Sequence, residues 1–154
     1  MAGLSADERI LRAKSRLAFR LRLTTTMADL LIVDDDLDVV WVLEQIMQLD
    51  GHIVRVAHNG EEGLRLLNER YPDLVILDVE MPILDGPGMA YQMFVHNCGL
   101  ENVPILLLSG VFDFEAVADR VGTPYAMPKP FGPKELLQLV GRALTERALP
   151  RPAR

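Results

Sequence analysis

The chain has 154 residues, 49% of them apolar, and a net charge of −6. That supports one domain with a packed core and excludes nonspecific nucleic-acid binding by the chain as a whole. Its lone cysteine, Cys98, excludes an internal disulfide and suits a reducing cytoplasm; no apolar run reaches membrane-spanning length.

The charge is uneven. Residues 1–26 carry six basic residues (Arg9, Arg12, Lys14, Arg16, Arg20, Arg22) against Asp7 and Glu8, a balance of +4 that leaves −10 for the remainder. Ser5-Ala6-Asp7-Glu8 has capping-box spacing and predicts a helix over roughly 6–22. Arginines interrupt its apolar residues, which excludes a secretory signal. Three readings stay open: a helical or disordered arm, a site for an acidic partner, or sequence ahead of a true start at Met27.

From Met27 strands and helices alternate. Leu30-Leu31-Ile32-Val33 reads as a buried strand running into Asp34-Asp35-Asp36. A helix follows over roughly 37–49, with Val39, Val42, Leu43, Ile46 and Leu49 on one face. Trp41 falls about 200° from Val39, on the exposed side. Residues 52–57 alternate in hydropathy, as an edge strand does. Asn59-Gly60 turns the chain into a helix over roughly 61–71, ended by Pro72. Leu74-Val75-Ile76-Leu77 is a second buried run, and it ends on Asp78. Pro82 and Asp85-Gly86 mark the loop after it. A helix over roughly 87–97 begins with Pro87. Pro104 to Ser109 is the fourth strand, followed by a short helix over roughly 113–121. A fifth strand over roughly 124–128 leads to Lys129-Pro130-Phe131, and Gly132-Pro133 opens a last helix over roughly 134–147. Its inward side chains are Leu136, Leu137, Val140 and Leu144. The folded body is 27–149, and 150–154 reads as a frayed tail. His52, His58 and His96 lie on separate elements without ligand spacing, and Met81 and Met89 suit packing.

Five strands alternating with helices predict an α/β, doubly wound parallel sheet. Such sheets bind ligands outside the carboxyl ends of their strands. Asp34, Asp35 and Asp78 end two strands; Ser109 and Lys129 end two more. Converging carboxylates repel one another, and a hard divalent cation with oxygen ligands relieves this; Mg²⁺ is the natural choice. Asp78 can then attack a phosphoryl group to give an acyl phosphate. Lys129 and the Ser109 hydroxyl can meet the charge on the phosphoryl oxygens.

These residues resemble the receiver domain of two-component response regulators, including the single-domain chemotaxis regulators. The matching motifs are Leu31-Ile32-Val33-Asp34-Asp35-Asp36, Ala57-His58-Asn59-Gly60-Glu61-Glu62-Gly63-Leu64, Leu77-Asp78-Val79-Glu80-Met81-Pro82 with Asp85-Gly86, Leu107-Leu108-Ser109-Gly110, and Pro128-Lys129-Pro130-Phe131. They cover about 27–147 of the chain. The resemblance implies a flavodoxin-like sheet, strand order 2-1-3-4-5, flanked by five helices. It implies Asp78 as phosphoacceptor, and Asp35, Asp34, Asp78 and the Glu80 backbone carbonyl as the Mg²⁺ site. Ser109 and Lys129 match the phosphoryl-binding pair, and the Lys-Pro bond is expected to be cis. The partners implied are a sensor histidine kinase or histidine phosphotransfer protein and a downstream protein target. The expectation is a stand-alone phosphorelay protein with no DNA-binding domain, acting in signal transduction rather than as an enzyme.

Two positions depart from the family pattern. An aromatic usually stands three residues before the Lys and swings inward on phosphorylation; here that position is Ala126. Tyr125 is adjacent, but it could substitute only if a bulge shifted the strand register. The segment between Ser109 and Lys129 is also slightly short. Trp41 is either a tolerated surface residue or an anchor for the phosphodonor partner. Two alternatives to the receiver reading remain. One is a haloacid-dehalogenase-type phosphatase with Asp34 as nucleophile and Asp36 as acid. The other is an unphosphorylated interaction module on the same fold.

Overall fold

The computed structural model describes residues 26–96 and 102–152. The predicted arm over 1–26 therefore lies outside the described residues except for Thr26, as does Cys98. In chain order the elements are β1 (Asp29–Val33), α1 (Leu37–Leu49), β2 (Ile53–Ala57), α2 (Gly60–Glu69), β3 (Leu74–Asp78), α3 (Gly86–Val95), β4 (Ile105–Ser109), α4 (Phe114–Val121), β5 (Tyr125–Pro128) and α5 (Pro133–Glu146). The sheet order is β2-β1-β3-β4-β5, every pair parallel. This is the predicted flavodoxin-like arrangement.

The apolar runs explain the order. β3 and β4 are buried at every residue, which only a central strand covered on both faces requires. Leu30, Ile32, Leu74, Ile76, Leu106 and Leu108 face α1 and α5. Leu31, Val33, Val75, Leu77, Ile105 and Leu107 face α2, α3 and α4. Truncating any of these leucines to alanine removes packing worth ~2–5 kcal/mol. β2, with its alternating pattern, is an edge as expected. His52, just ahead of it, has a packing role: its Nδ1 accepts the Ala28 N–H at 3.2 Å.

α1 differs from the expected stripe. Val40, Leu43 and Met47 are buried, whereas Val42 is 39% exposed and Leu49 is 77% exposed. Val39 and Ile46 flank the buried line. The helix start sets this rotation. Asp36 is the N-cap, its carboxylate accepting the Asp38 and Val39 N–H groups at 2.9 and 3.2 Å, and from that start Leu43 points at the sheet. Trp41 lies about 160° round from the inward-pointing Leu43, and it is 62% exposed. α2 stops at Glu69, three residues before Pro72, rather than at Tyr71.

The tail is not frayed through its described part. α5 ends where Arg147 adopts the left-handed conformation at φ 49°, which turns the chain back along the end of the sheet. Pro150 is buried, and the Arg151 N–H donates to the Gly122 carbonyl at 3.0 Å. A backbone bond and a buried ring outweigh the sequence-end tendency to fray.

Candidate functional site

β1 and β3 are neighbours with Val33 opposite Leu77, so the next residues, Asp34 and Asp78, emerge side by side. β3 and β4 pair Asp78 with Leu108, and β4 and β5 pair Ser109 with Pro128. Four strand ends therefore deliver Asp34, Asp78, Ser109 and Lys129 to one rim, the carboxyl edge of the sheet. Carboxylate oxygens of Asp34, Asp35 and Asp78 lie within 4.8 Å of one another. The Lys129 Nζ donates to Asp34 Oδ2 at 2.6 Å and lies 3.0 Å from Asp78 Oδ1. The Lys129 backbone N–H donates to the Ser109 carbonyl at 2.7 Å, and the Lys129–Pro130 bond is cis.

Asp34, Asp78 and Ser109 are buried, whereas Asp35 is exposed on the rim. Asp34 is held twice, because its other oxygen accepts the Asp36 N–H at 2.9 Å. Burial pushes the Asp78 carboxyl up to about 6; the Asp34 charge adds to this, and the Lys129 hydrogen bond opposes it. Burial alone would lower Lys129, but its bonds to Asp34 and Asp78 outweigh that and hold the ammonium above its ordinary value. The result is a low-dielectric cluster with more negative groups than positive ones. Such perturbed groups gathered in a cleft mark a functional site.

The loop after β3 is pressed onto Asp78. A Cβ at Gly86 would stand 2.2 Å from the Asp78 carbonyl oxygen, and the Gly86 N–H donates to the Val79 carbonyl at 3.0 Å. The Gly60 N–H holds the same loop through the Leu84 carbonyl, also at 3.0 Å. Beside the acids a cleft of about 750 Å³ opens between this loop and α4, lined by Asp35, Glu80, Met81, Val111 and Arg120 among others. The Ser109 Oγ accepts the Val111 N–H at 3.1 Å.

Of the residues singled out in the sequence, Asp34, Asp35, Asp78 and Lys129 converge; Ser109 ends the adjacent strand; Glu80 lines the cleft. Tyr125 does not join them. β5 pairs without a bulge, Tyr125 opposite Leu106 and Ala126 opposite Leu107. Tyr125 is fully buried on the α1–α5 side, whereas Ala126 packs on the other side. The register shift that would bring Tyr125 to the Ser109 face is absent. Trp41 stands apart on α1. Sequence reasoning missed the direct Asp34–Lys129 pair and the close approach of Gly86. Only the Asp85-Gly86 turn signal hinted at the second.

A family profile described as "Response regulator receiver domain" matches residues 30–141. The probable transcriptional regulator ycf27 of Guillardia theta is 39% identical over 116 residues, covering 72% of this chain and 43% of that protein. The receiver domain of NtrX from Brucella abortus superposes with a TM-score of 0.68 at 30% identity, covering 76% of this chain and 98% of that one. Chemotaxis protein CheY4 of Vibrio cholerae does so with a TM-score of 0.69 at 28% identity, covering 76% of this chain and 98% of that one. The chain spans about half the length of the curated relatives it matches, 43% to 53%. Among the described residues no helix is long and apolar enough to cross a membrane. The chain belongs to the response regulator receiver domain family of two-component systems.

Proposed function

We propose that Asp78 accepts a phosphoryl group from the phosphohistidine of a sensor histidine kinase or histidine phosphotransfer protein. The observation that carries this is the placement of Asp78 between Lys129 at 3.0 Å and the Asp34 and Asp35 carboxylates. In the step, an Asp78 carboxylate oxygen bonds to phosphorus as the phosphorus–imidazole bond breaks, and the leaving imidazole takes up a proton. The body carrying the step is 27–149, with 1–26 as an appended arm.

The donor set fits a hard divalent cation: three carboxylates offer one oxygen each within 4.8 Å, and such ions take oxygen ligands with water completing the shell. Asp35, Asp34, Asp78 and the Glu80 carbonyl would hold Mg²⁺. When bound, the ion neutralises charge on the acids and on the phosphoryl oxygens. Lys129 is already charged beside Asp78, so its ammonium can pass from the free carboxylate to a phosphoryl oxygen without gaining a proton. The Ser109 hydroxyl can donate to another phosphoryl oxygen. Gly86 lets the loop after β3 close on the Asp78 backbone, where a side chain would clash with its carbonyl oxygen.

A dehalogenase-like use of Asp36 finds no support, since that carboxylate caps α1. For the phosphodonor, the supporting feature is the apolar hollow of about 480 Å³ formed by Val39, Val42, Pro130 and Phe131 beside Lys129. Trp41 stands on the same helix, exposed to solvent. The readout to a protein target lacks the usual aromatic at Ala126.

Mass spectrometry after treatment with acetyl phosphate and Mg²⁺ tests the acceptor. One added phosphoryl group is expected, absent from Asp78→Asn. Equal labelling of that variant would overturn the assignment.

A further inference from the structure

Tyr125 is placed where it cannot answer Ser109, yet its hydroxyl is engaged. It donates to Glu146 Oε2 at 3.2 Å and accepts the Ala148 N–H at 3.0 Å. The Arg142 guanidinium stacks over its ring at 5.4 Å. One buried side chain thus fixes the point where α5 ends and the tail begins. From there the tail runs to the end of α4. The Arg151 N–H donates to the Gly122 carbonyl at 3.0 Å. Gly122 is the left-handed cap of α4, φ 73°, and a Cβ there would meet the Arg151 carbonyl oxygen at 1.9 Å. The backbones touch because that residue has no side chain. Pro152 reaches farther, into a hollow shared with Ala90 and Tyr91 of α3 and Val121 of α4.

α4 is short: it has eight residues, of which Ala118 and Val121 are buried. Elements with few buried contacts open at low free energy, so the Arg151 bond, together with the Thr123 hydroxyl's bond to the Ile105 carbonyl, restrains its end. The start of α4 is linked to the acid site: Ser109 Oγ holds the Val111 N–H, and Asp113 caps the helix. The Oγ that accepts the Val111 N–H keeps its own proton to donate, so a Ser109 side chain that swings toward a phosphoryl oxygen moves the atom on which that turn is fastened. Asp113 and Gly122 cap the two ends of the same helix.

We propose that residues 147–152 are a strap tying the end of α4 to the end of α5, and that phosphoryl uptake at Asp78 loosens it. The loosening rests on the phosphoacceptor reading; the strap does not. It gives this receiver a route from the acid site to the chain beyond α5 that does not need an aromatic at Ala126. Coupling is reciprocal, so an untied strap also favours the phosphorylated arrangement.

Amide exchange on the full chain separates the two claims. Arg151→Pro removes the donated N–H and keeps the tail extended; Arg151→Ala keeps the N–H. The first should speed exchange over 119–124 about fivefold, as expected for one net hydrogen bond, and the second should not. Tyr125→Phe should speed exchange at Ala148. If Arg151→Pro leaves 119–124 unchanged, the strap is refuted. With beryllofluoride and Mg²⁺ as phosphoryl mimic, the wild type should gain protection over 74–80 and lose it over 147–152. Protection at 74–80 with an unchanged tail refutes the loosening. No protection at 74–80 counts against Asp78 as acceptor and removes the loosening with it, while Arg151→Pro still decides the strap.

Discussion

At the scale of single residues, the buried Asp78, proposed as the phosphoacceptor, costs stability. Its carboxyl is held near 6, above its ordinary value of 3.8, chiefly by burial. The folded state therefore binds more protons than the unfolded state between those values. Stability contributed by this group falls as pH rises through that window, and the penalty is complete above it. Asp78→Asn cannot ionise. In a chelator it should be more stable than wild type at pH 7, by ~1 kcal/mol once solvent screening is allowed for, with the difference shrinking as pH falls toward about 4. Chemical denaturation across pH measures it. A difference that stays constant with pH would remove ionisation as the cause. Lys129 offsets only part of this penalty, because Asp34 competes for the same ammonium at a shorter distance.

At the scale of elements, local signals decided most of what was legible. Four consecutive apolar residues ending on an acid identify β3, because only a strand covered on both faces tolerates such a run. The face of α1 was less legible. Valine and leucine recur around much of that helix, so periodicity alone admitted a stripe through Val42 and Leu49. The cap at Asp36 fixes the rotation that buries Val40 and Met47. The cap itself is testable. Asp36→Ala removes acceptors for two N–H groups and should cost ~1 kcal/mol without changing phosphoryl labelling at Asp78. Loss of labelling at unchanged stability would mean that Asp36 belongs to the acid site. The tail was the least legible element: Pro150-Arg151-Pro152 has no periodicity, and its place is decided by backbone contacts with Gly122 far back in the chain.

At the scale of the whole molecule, the acids, the Lys and the Ser were readable because each ends a strand, and strand order brings strand ends together. The pairing of Lys129 with Asp34 was not readable, since it depends on which of two neighbouring carboxylates lies nearer. The side of the sheet taken by Tyr125 followed from alternation, but its hydroxyl partners lie in α5 and the tail, beyond any local signal.

The lone tryptophan gives the molecule an optical label of its own. Trp41 is 62% exposed, so its indole fluoresces as a wet chromophore in the free protein. A phosphodonor seated on α1 would dry it, shifting emission to the blue as the complex forms. Titration with a purified histidine phosphotransfer protein should show that shift, and Trp41→Ala should slow transfer from that protein while acetyl phosphate labelling stays unchanged. An emission maximum that does not move during productive transfer would place the donor on another face. Because Trp41 is outside the acid cluster, the same signal stays quiet when a small phosphodonor is used, so colour alone distinguishes docking from chemistry.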